Sequence, residues 1–133
     1  MHRIALAALA LCAARSSAAQ SPQPAAPATP LGVWRGTSAC LVRPSACNDE
    51  VVVYRITSMN APDSVAIDGR RIVSGEEQEM GVLGCRFAPQ TGQLTCAMPQ
   101  GVWNFRVRND SLTGELRLPD NTRFREVRTV RAP

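Results

Sequence analysis

Residues able to perform acid–base or nucleophilic chemistry are scarce in this chain of 133 residues. Its single histidine is His2, and its fifteen strongly basic residues are all arginine, with no lysine. Histidine and lysine are the usual general bases and amine nucleophiles, and histidine is the commonest neutral metal ligand. Without such a base, the serines have no evident activating partner. The composition therefore predicts a protein that is not an enzyme and that holds neither a metal nor a cofactor.

Two groups of acidic residues are the remaining candidates for chemistry. Asp49 and Glu50 are adjacent, and Glu76, Glu77 and Glu79 form a second group. Carboxylate pairs serve glycosidases as acid and base, and carboxylate-rich loops bind calcium. Neither group has the spacing of a calcium loop, and a small domain offers little cleft for a sugar chain. We interpret both groups as surface charge.

The first nineteen residues have the pattern of an export signal. His2 and Arg3 precede an apolar run at 4–14, and the small residues at 16–19 offer a cleavage site before Gln20. The run is shorter than the roughly 20 residues that span a bilayer, so no transmembrane segment is expected. The mature protein is therefore expected in the periplasm or outside the cell.

Cys12 and the segment after the leader bear on whether the folded domain is anchored to a membrane and where it begins. A lipoprotein signal has small residues directly before its cysteine, whereas Leu11 precedes Cys12, which disfavours lipid anchoring. Residues 20–30 are rich in proline and alanine and lack charge, which predicts a semi-extended linker. One folded domain is then expected over 31–133.

Four cysteines remain once the leader is removed: Cys40, Cys47, Cys85 and Cys96. An even number in an exported chain predicts two disulfides, whereas a zinc site would want closer cysteine pairs or histidines. The mature chain has thirteen arginines against eleven acids, a net charge of +2. Such a weak basic excess, with few aromatic residues for base stacking, indicates no nucleic-acid partner.

A hairpin is predicted between residues 83 and 98. Facing residues of an antiparallel hairpin have position numbers with a constant sum, and three apolar or cysteine pairs share the sum 181: Leu83 with Met98, Cys85 with Cys96, and Phe87 with Leu94. The intervening Arg86 and Thr95 are polar, as expected on an outer face. Opposed residues have Cβ separations that suit a disulfide, so we predict Cys85–Cys96. Cys40 and Cys47 flank Arg43-Pro44 and could clip that turn.

A second hairpin follows, with Trp103, Phe105 and Val107 opposite Leu116, Gly114 and Leu112. A further turn at 118–122, with Asn121 in its left-handed position, leads to the last strand. This register pairs Leu116 with Phe124 on the inner face and Glu115 with Arg125 on the outer face. The apolar spacing then slips, which predicts a bulge near Arg125–Glu126.

The first half of the chain is less regular. Strands are predicted around Trp34 and over 51–56, but which face of 51–56 is buried stays open. Val65 and Ile67 are expected to meet Ile72 across a turn at 68–69, and the acidic residues from Glu76 suit a loop or the start of a strand. About eight short strands without helical periodicity predict an all-β fold, a small antiparallel meander barrel stapled by disulfides.

Two sets of residues are candidates for binding. Trp34, Trp103, Phe105 and Phe124 are expected to close and fill the barrel, and lining a ligand cavity is the alternative. Arg106, Arg117, Arg123 and Arg125 are expected on the outer face, where they are either a docking surface for an anionic partner or a solvated face interspersed with glutamates.

The start of the first strand, Gly32-Val33-Trp34, resembles the Gly-x-Trp start of lipocalins and other calycins. In that family the tryptophan closes one end of the barrel and an arginine from the last strand packs across it, a role that Arg125 or Arg128 would fill by position. Small periplasmic β-barrel inhibitors of bacterial metalloproteases also begin this way, although a proline-rich linker occupies the place of their inhibitory segment.

The sequence therefore favours a non-catalytic, exported bacterial β-barrel that binds a small apolar ligand or an envelope partner. One alternative is an inhibitor of a secreted or periplasmic hydrolase, acting through a loop such as 40–47. Another is a structural envelope protein with no discrete ligand.

Overall fold

Eight antiparallel strands in sequence order form a closed barrel in the computed structural model, which describes residues 19–22 and 28–133. The strands are β1 (Gly32–Cys40), β2 (Glu50–Ser58), β3 (Ser64–Val73), β4 (Glu76–Ala88), β5 (Gln93–Met98), β6 (Gly101–Arg108), β7 (Ser111–Arg117) and β8 (Arg123–Arg131). Each strand pairs with its neighbour in sequence, and β8 pairs with β1. The predicted all-β meander is confirmed. Residues 1–18, which hold most of the expected leader, and 23–27 of the expected linker lie outside the described residues.

The face of β2 that points inward is set by its pairing with β1. Tyr54 lies opposite Trp34 and Val52 opposite Gly36, so the even-numbered residues of β2 face the barrel interior. Val53 is also buried, although it faces outward between its cross-strand partners Arg35 and Arg70. Long arginine stems cover apolar surface while their charged ends stay in water. Burial on both faces explains why the sequence pattern of this strand was ambiguous.

The hairpin of β6 and β7 has the predicted register, with Trp103 opposite Leu116, Phe105 opposite Gly114 and Val107 opposite Leu112. The ring of Phe105 lies directly over Gly114, where a side chain would overlap it. An aromatic ring thus fills the space that a strand glycine leaves open. The alternation of apolar and polar residues was sufficient to predict this element.

The predicted turn at 68–69 is wrong, because β3 runs straight through it. Val65, Ile67 and Gly69 form one continuous inward-facing row, and Gly69 leaves room for the ring of Tyr54. The turn lies at Ser74 and Gly75, whose φ angles of 51° and 82° suit a two-residue hairpin loop. The acidic residues from Glu76 begin β4, as one of the two sequence interpretations had it.

The register of β8 also differs from the prediction. Leu116 pairs with Arg125 and Glu115 with Glu126, and the irregularity lies between Arg123 and Arg125. Phe124 is the extra residue of this bulge. The shift turns Arg125 toward the barrel interior and leaves Phe124 outside the core cluster. It also lets Val127 and Thr129 face inward, where both are buried.

One end of the barrel is sealed by Trp34, which has no exposed surface. Its indole Nε1 donates a hydrogen bond to the Pro30 carbonyl at 2.8 Å, and the Arg131 guanidinium stacks on its ring at 4.2 Å. Arg131 also donates to the carbonyls of Leu31 and Thr29. An arginine of the last strand does pack across the tryptophan, but it is Arg131 and neither Arg125 nor Arg128. We call this end the sealed end.

Two disulfides join the cysteines as Cys40–Cys47 and Cys85–Cys96. The first closes the loop between β1 and β2, and the second links β4 to β5. The second confirms the predicted Cys85–Cys96 disulfide, with positions 85 and 96 opposite each other, and the first is the pairing that the sequence had left open.

Candidate functional site

A cavity of about 330 Å³ occupies the half of the barrel opposite the sealed end. Pockets that hold small molecules range over roughly 300–1,000 Å³, so the volume of this cavity lies at the lower end of that range. Most of its lining is apolar: Ile67, Met80, Val82, Leu83, Met98, Trp103 and Phe105. Five lining residues are polar: Gln100, in the turn between β5 and β6, and the four residues that we call the polar wall, Ser38, Glu50, Tyr54 and Arg125.

The cavity lies beside a gap between β4 and β5. Their ladder holds only the pairs Arg86–Thr95, Phe87–Leu94 and Ala88–Gln93. The predicted pairing of Leu83 with Met98 is absent from this ladder, and both side chains line the cavity instead. The Cys85–Cys96 disulfide lies where the two strands separate. We call the space between β4 and β5 beyond this disulfide the lateral gap.

Aromatic rings line the deeper part of the cavity. Trp103 and Phe105 stack with their centroids 5.1 Å apart and their planes within 10°. Tyr54 meets Phe105 edge-on at 5.9 Å. Flat, polarisable faces of this kind pack well against an apolar ring. Of the four aromatic residues expected to fill the core, two therefore line the cavity, whereas Trp34 lies at the sealed end and Phe124 lies outside the core.

Arg125 anchors the polar wall to the first loop. Its guanidinium donates to the Ser38 hydroxyl and to the Asn48 carbonyl, each at 2.9 Å, and lies 3.5 Å from a Glu50 oxygen. The other Glu50 oxygen is 3.3 Å from Arg71, on the overhanging end of β3. Two arginines thus share one carboxylate. The cluster carries a net charge of +1.

The Tyr54 hydroxyl belongs to the same wall. Tyr54 is 94% buried, and burial raises the pKa of its hydroxyl well above the usual range; nearby Arg125 opposes this shift and Glu50 adds to it. The hydroxyl therefore stays protonated and can donate a hydrogen bond. Among the described residues no hydrogen-bond partner of this hydroxyl is found. A donor is thus left available on the cavity side.

The outer-face arginines are not equivalent. Arg117 and Arg123 both bind Glu115, at 2.6 and 2.7 Å, and these hydrogen bonds lower the pKa of the Glu115 carboxyl. Arg106 is exposed on β6, and Arg125 points inward, which corrects its expected place on the outer face. The proposed anionic docking face is therefore reduced to Arg106 and two arginines already paired with a carboxylate. Docking there stays a prediction.

The acidic groups are distributed between surface and cavity. Asp49 accepts a hydrogen bond from the Cys40 amide at 2.8 Å and pairs with Arg43, and the amide is the main cause of its lowered pKa. Glu77 binds Arg55 through both oxygens on the outside of the barrel. Glu50, in contrast, lines the cavity. The surface interpretation was wrong for this residue.

Sequence analysis identified only Trp103 and Phe105 as candidate cavity residues, and it missed Ser38, Glu50 and Tyr54 of the polar wall. Glu50 and Tyr54 are in phase with Val52 along β2, so the signal existed once the inward face of β2 was known. Ser38 is two residues beyond Gly36 on the inward row of β1. What was lacking was the pairing of β1 with β2, which the sequence pattern of either strand alone does not supply.

Within residues 19–22 and 28–133, no three His, Cys, Asp or Glu side chains are grouped to hold a metal ion, and no helix is long and apolar enough to cross a membrane. No protein-family model matches the chain, and no curated protein or solved structure shows significant similarity to it. A fold alone does not define a function, so any functional conclusion depends on the site itself.

Proposed function

We propose that this protein is an exported, non-catalytic binding module that holds one small, largely apolar molecule in its barrel. The observation that carries the proposal is the cavity, whose apolar lining is faced by a few converging polar groups. This combination is typical of small-molecule sites. The stacked rings of Trp103 and Phe105 provide an apolar floor, and the lateral gap provides a path from solvent.

Export is supported by the two disulfides, which form and persist in oxidising compartments. The absence of lysine, and of histidine beyond His2, supports a role in binding rather than catalysis. Periplasmic and extracellular locations suit the proposal equally well.

Native mass spectrometry of the protein purified from its own host tests this function. We expect the wild-type protein to carry a bound small molecule that is released on unfolding. Leu83→Trp places a large ring in the cavity and should abolish the adduct. Val130→Trp is the matched control, because Val130 is 60% exposed on β8 and does not line the cavity. A wild-type protein without an adduct, or an adduct retained by Leu83→Trp, would contradict the proposal.

Inhibition of a secreted hydrolase is a second candidate, favoured by the loop at 41–49. The Cys40–Cys47 disulfide closes this loop, and Arg125 and Asp49 anchor its base through Asn48 and the Cys40 amide. Residues 43–46 at its tip are exposed. A loop held in one conformation loses little entropy when it binds a cleft.

Hydrolase activity in the exported fraction of the host tests this second function. Added wild-type protein should inhibit one such activity, and the double variant Cys40→Ala/Cys47→Ala, whose loop is released, should inhibit it much less. Leu83→Trp should inhibit as well as the wild-type protein does, since it leaves the loop untouched. Equal inhibition by the loop variant would exclude this mechanism.

A further inference from the structure

We infer that the ligand of this cavity bears a carboxylate, one oxygen of which accepts a hydrogen bond from the Tyr54 hydroxyl. The inference rests on the proposed small-molecule function and names the class of ligand: a compact, flat apolar body with one anionic head. Three features support it: a donor that is open to the cavity, further donors beside it, and one excess positive charge once Arg71 next to the polar wall is counted.

The first feature is the Tyr54 hydroxyl. Tyr54 lines the cavity, and its hydroxyl forms no hydrogen bond within the part of the chain that the structure describes. Among those residues, the one fully enclosed polar side-chain atom without a partner is Asp68 Oδ1, so the Tyr54 hydroxyl is open to the cavity. A ligand acceptor can take the place of water at this donor.

The second feature is the direction of the neighbouring hydrogen bonds. The Ser38 oxygen accepts from Arg125, so the Ser38 hydroxyl hydrogen remains free to donate. Arg125 and Tyr54 are donors as well. A ligand head next to this wall therefore meets donors on several sides, and a planar group with two acceptor oxygens satisfies more of them than a single hydroxyl does.

The third feature is charge. Glu50 is the one acid of the wall, and its two oxygens are shared between Arg71 and Arg125. Each Glu50 oxygen lies beside an arginine, so a cationic ligand at Glu50 would also meet Arg71 or Arg125. Counting Arg71, which adjoins the cavity lining, the three side chains carry one excess positive charge and favour an anion.

The body of the ligand follows from the opposite wall. Trp103 and Phe105 present parallel ring faces, and Met80 and Met98 are flexible side chains that adapt to the shape of a guest. A volume of about 330 Å³, at the lower end of the usual range for small-molecule pockets, favours a compact guest. One or two fused rings fit these constraints.

Three probes that share one ring system test the inference: 2-naphthoate, naphthalene and 2-naphthylmethylammonium. Binding to the disulfide-intact protein at pH 7 is followed by the fluorescence of Trp103. We expect 2-naphthoate to bind at least tenfold more tightly than naphthalene and the ammonium probe to bind most weakly. Trp103→Phe should remove the fluorescence response, because Trp34 lies at the sealed end.

Tyr54→Phe keeps the ring and removes only the hydroxyl. We expect it to weaken 2-naphthoate roughly tenfold and to leave naphthalene unchanged, since a hydrogen bond to a charged acceptor is lost. Its urea unfolding midpoint, measured alongside, shows whether the fold is retained. Arg71→Gln should weaken 2-naphthoate in a salt-dependent manner, whereas Arg70→Gln removes the same charge from the outer face of β3 and should not.

The outcomes separate the two proposals. If 2-naphthoate and naphthalene bind equally, or if Tyr54→Phe weakens both equally, the carboxylate inference fails while small-molecule binding stands. Tightest binding of the ammonium probe also overturns the inference and indicates Glu50 as the contact. If no probe binds although the protein from its host carries an adduct, the inferred ligand class fails alone; if neither a probe nor an adduct is bound, the proposed function fails as well.

Discussion

Arginine supplies every strongly basic group of this protein, and the position of each on its strand determines what it does. Arg131, at the end of β8, stacks on Trp34 and binds two carbonyls of the preceding segment. Arg125, six residues earlier, lies inside the barrel against Ser38 and Glu50. Arg128 lies between them on the outside, with 73% of its side chain exposed. Arginine therefore seals one end of the barrel, contributes to the polar wall of the cavity and keeps an outer surface hydrated.

Loss of the Arg131 side chain should destabilise the sealed end. Arg131→Ala removes a cation–π contact and two charged hydrogen bonds to carbonyls, which together predict a loss of roughly 2 kcal/mol in the free energy of unfolding. Arg128→Ala removes only an exposed pair with Glu126 and should cost less than about 0.5 kcal/mol. Urea unfolding followed by tryptophan fluorescence measures both. Equal effects would mean that the sealed end does not depend on Arg131.

Acid stability should depend on Glu115. Hydrogen bonds from Arg117, and next from Arg123, lower the pKa of this carboxyl in the folded chain below its ordinary value of 4.5. The folded state then binds fewer protons than the unfolded state, so the contribution of Glu115 is present above pH 4.5 and is lost as the pH falls through the lower, folded value. Glu115→Gln should therefore reduce the fall in the urea midpoint between about pH 5 and pH 2.5.

Glu79→Gln provides the comparison for this pH effect. Glu79 is exposed on the β3–β4 hairpin, and its replacement makes the same change in net charge. We expect this variant to keep the wild-type dependence of the urea midpoint on pH. If both variants changed that dependence equally, net charge rather than the Glu115 pairs would control acid stability.

At the scale of strands and hairpins, the register follows the alternation of side chains where both partners are local. The hairpin of β6 and β7 illustrates this, because Phe105 and Gly114 are nine residues apart and face each other as predicted. β4 and β5 keep the predicted register only near their turn, and beyond the disulfide they separate. Separation leaves Leu83 and Met98 to line the cavity instead of each other. The cavity therefore lies where the local pairing rule fails.

Gly114→Ala tests the packing of the β6–β7 pair. The added methyl group would overlap the Phe105 ring, and overpacking of this kind costs about 1–3 kcal/mol. Gly84→Ala is the control, since nothing lies within 4 Å of its added methyl group. Thermal unfolding should show a clear loss for the first and little change for the second. Equal melting temperatures would show that the Phe105 ring can move away freely.

The Cys85–Cys96 disulfide should hold β4 and β5 together at the end of their ladder that borders the lateral gap. With a sequence separation of 11, its removal in Cys85→Ala/Cys96→Ala should cost about 2–4 kcal/mol. Hydrogen exchange should accelerate most at the amides of 86–88 and 93–95, next to the lateral gap. Cys40→Ala/Cys47→Ala should leave exchange at these amides unchanged, because that disulfide closes a loop on the other side of the barrel.

At the scale of the whole molecule, the two ends of the barrel are different. Trp34, Arg131 and the segment from Ala28 to Leu31 seal one end, whereas the other half encloses the cavity. The described chain therefore meets the barrel at the end remote from the cavity.

If the ligand enters and leaves through the lateral gap, closing the gap should slow ligand release. Leu83→Cys/Met98→Cys places two thiols at positions that would be opposed if the β4–β5 register continued, and oxidation should draw the strands together. We expect a third disulfide by thiol counting and slower release of bound naphthalene in stopped-flow fluorescence. Each single cysteine variant changes the same lining without the cross-link and should release naphthalene at an unchanged rate. A cross-linked protein with wild-type release would place the path elsewhere.

The sequence by itself determined the features that depend on residues close together along the chain. Alternation of apolar and polar residues, with glycine and asparagine at turns, was sufficient for the strand count, the β6–β7 register and the Cys85–Cys96 disulfide. Such pairs lie within about twenty residues of each other, so only one or two registers compete. The turn at Ser74–Gly75 was missed because Asp68-Gly69 has the same local signature and only the packing of Gly69 against Tyr54 excludes it.

Tertiary structure alone decided the features that depend on barrel closure. The contact of Arg131 with Leu31 joins residues 100 positions apart, and the pairing of β8 with β1 shifts a bulge so that Arg125 turns inward. The inward face of β2 and the cavity follow from the same closure. Side chains on a strand differ only by which face they occupy, and a one-residue shift in pairing exchanges the faces. The closed barrel fixes the register because only that register buries all the core side chains together. No single segment of the sequence contains this information.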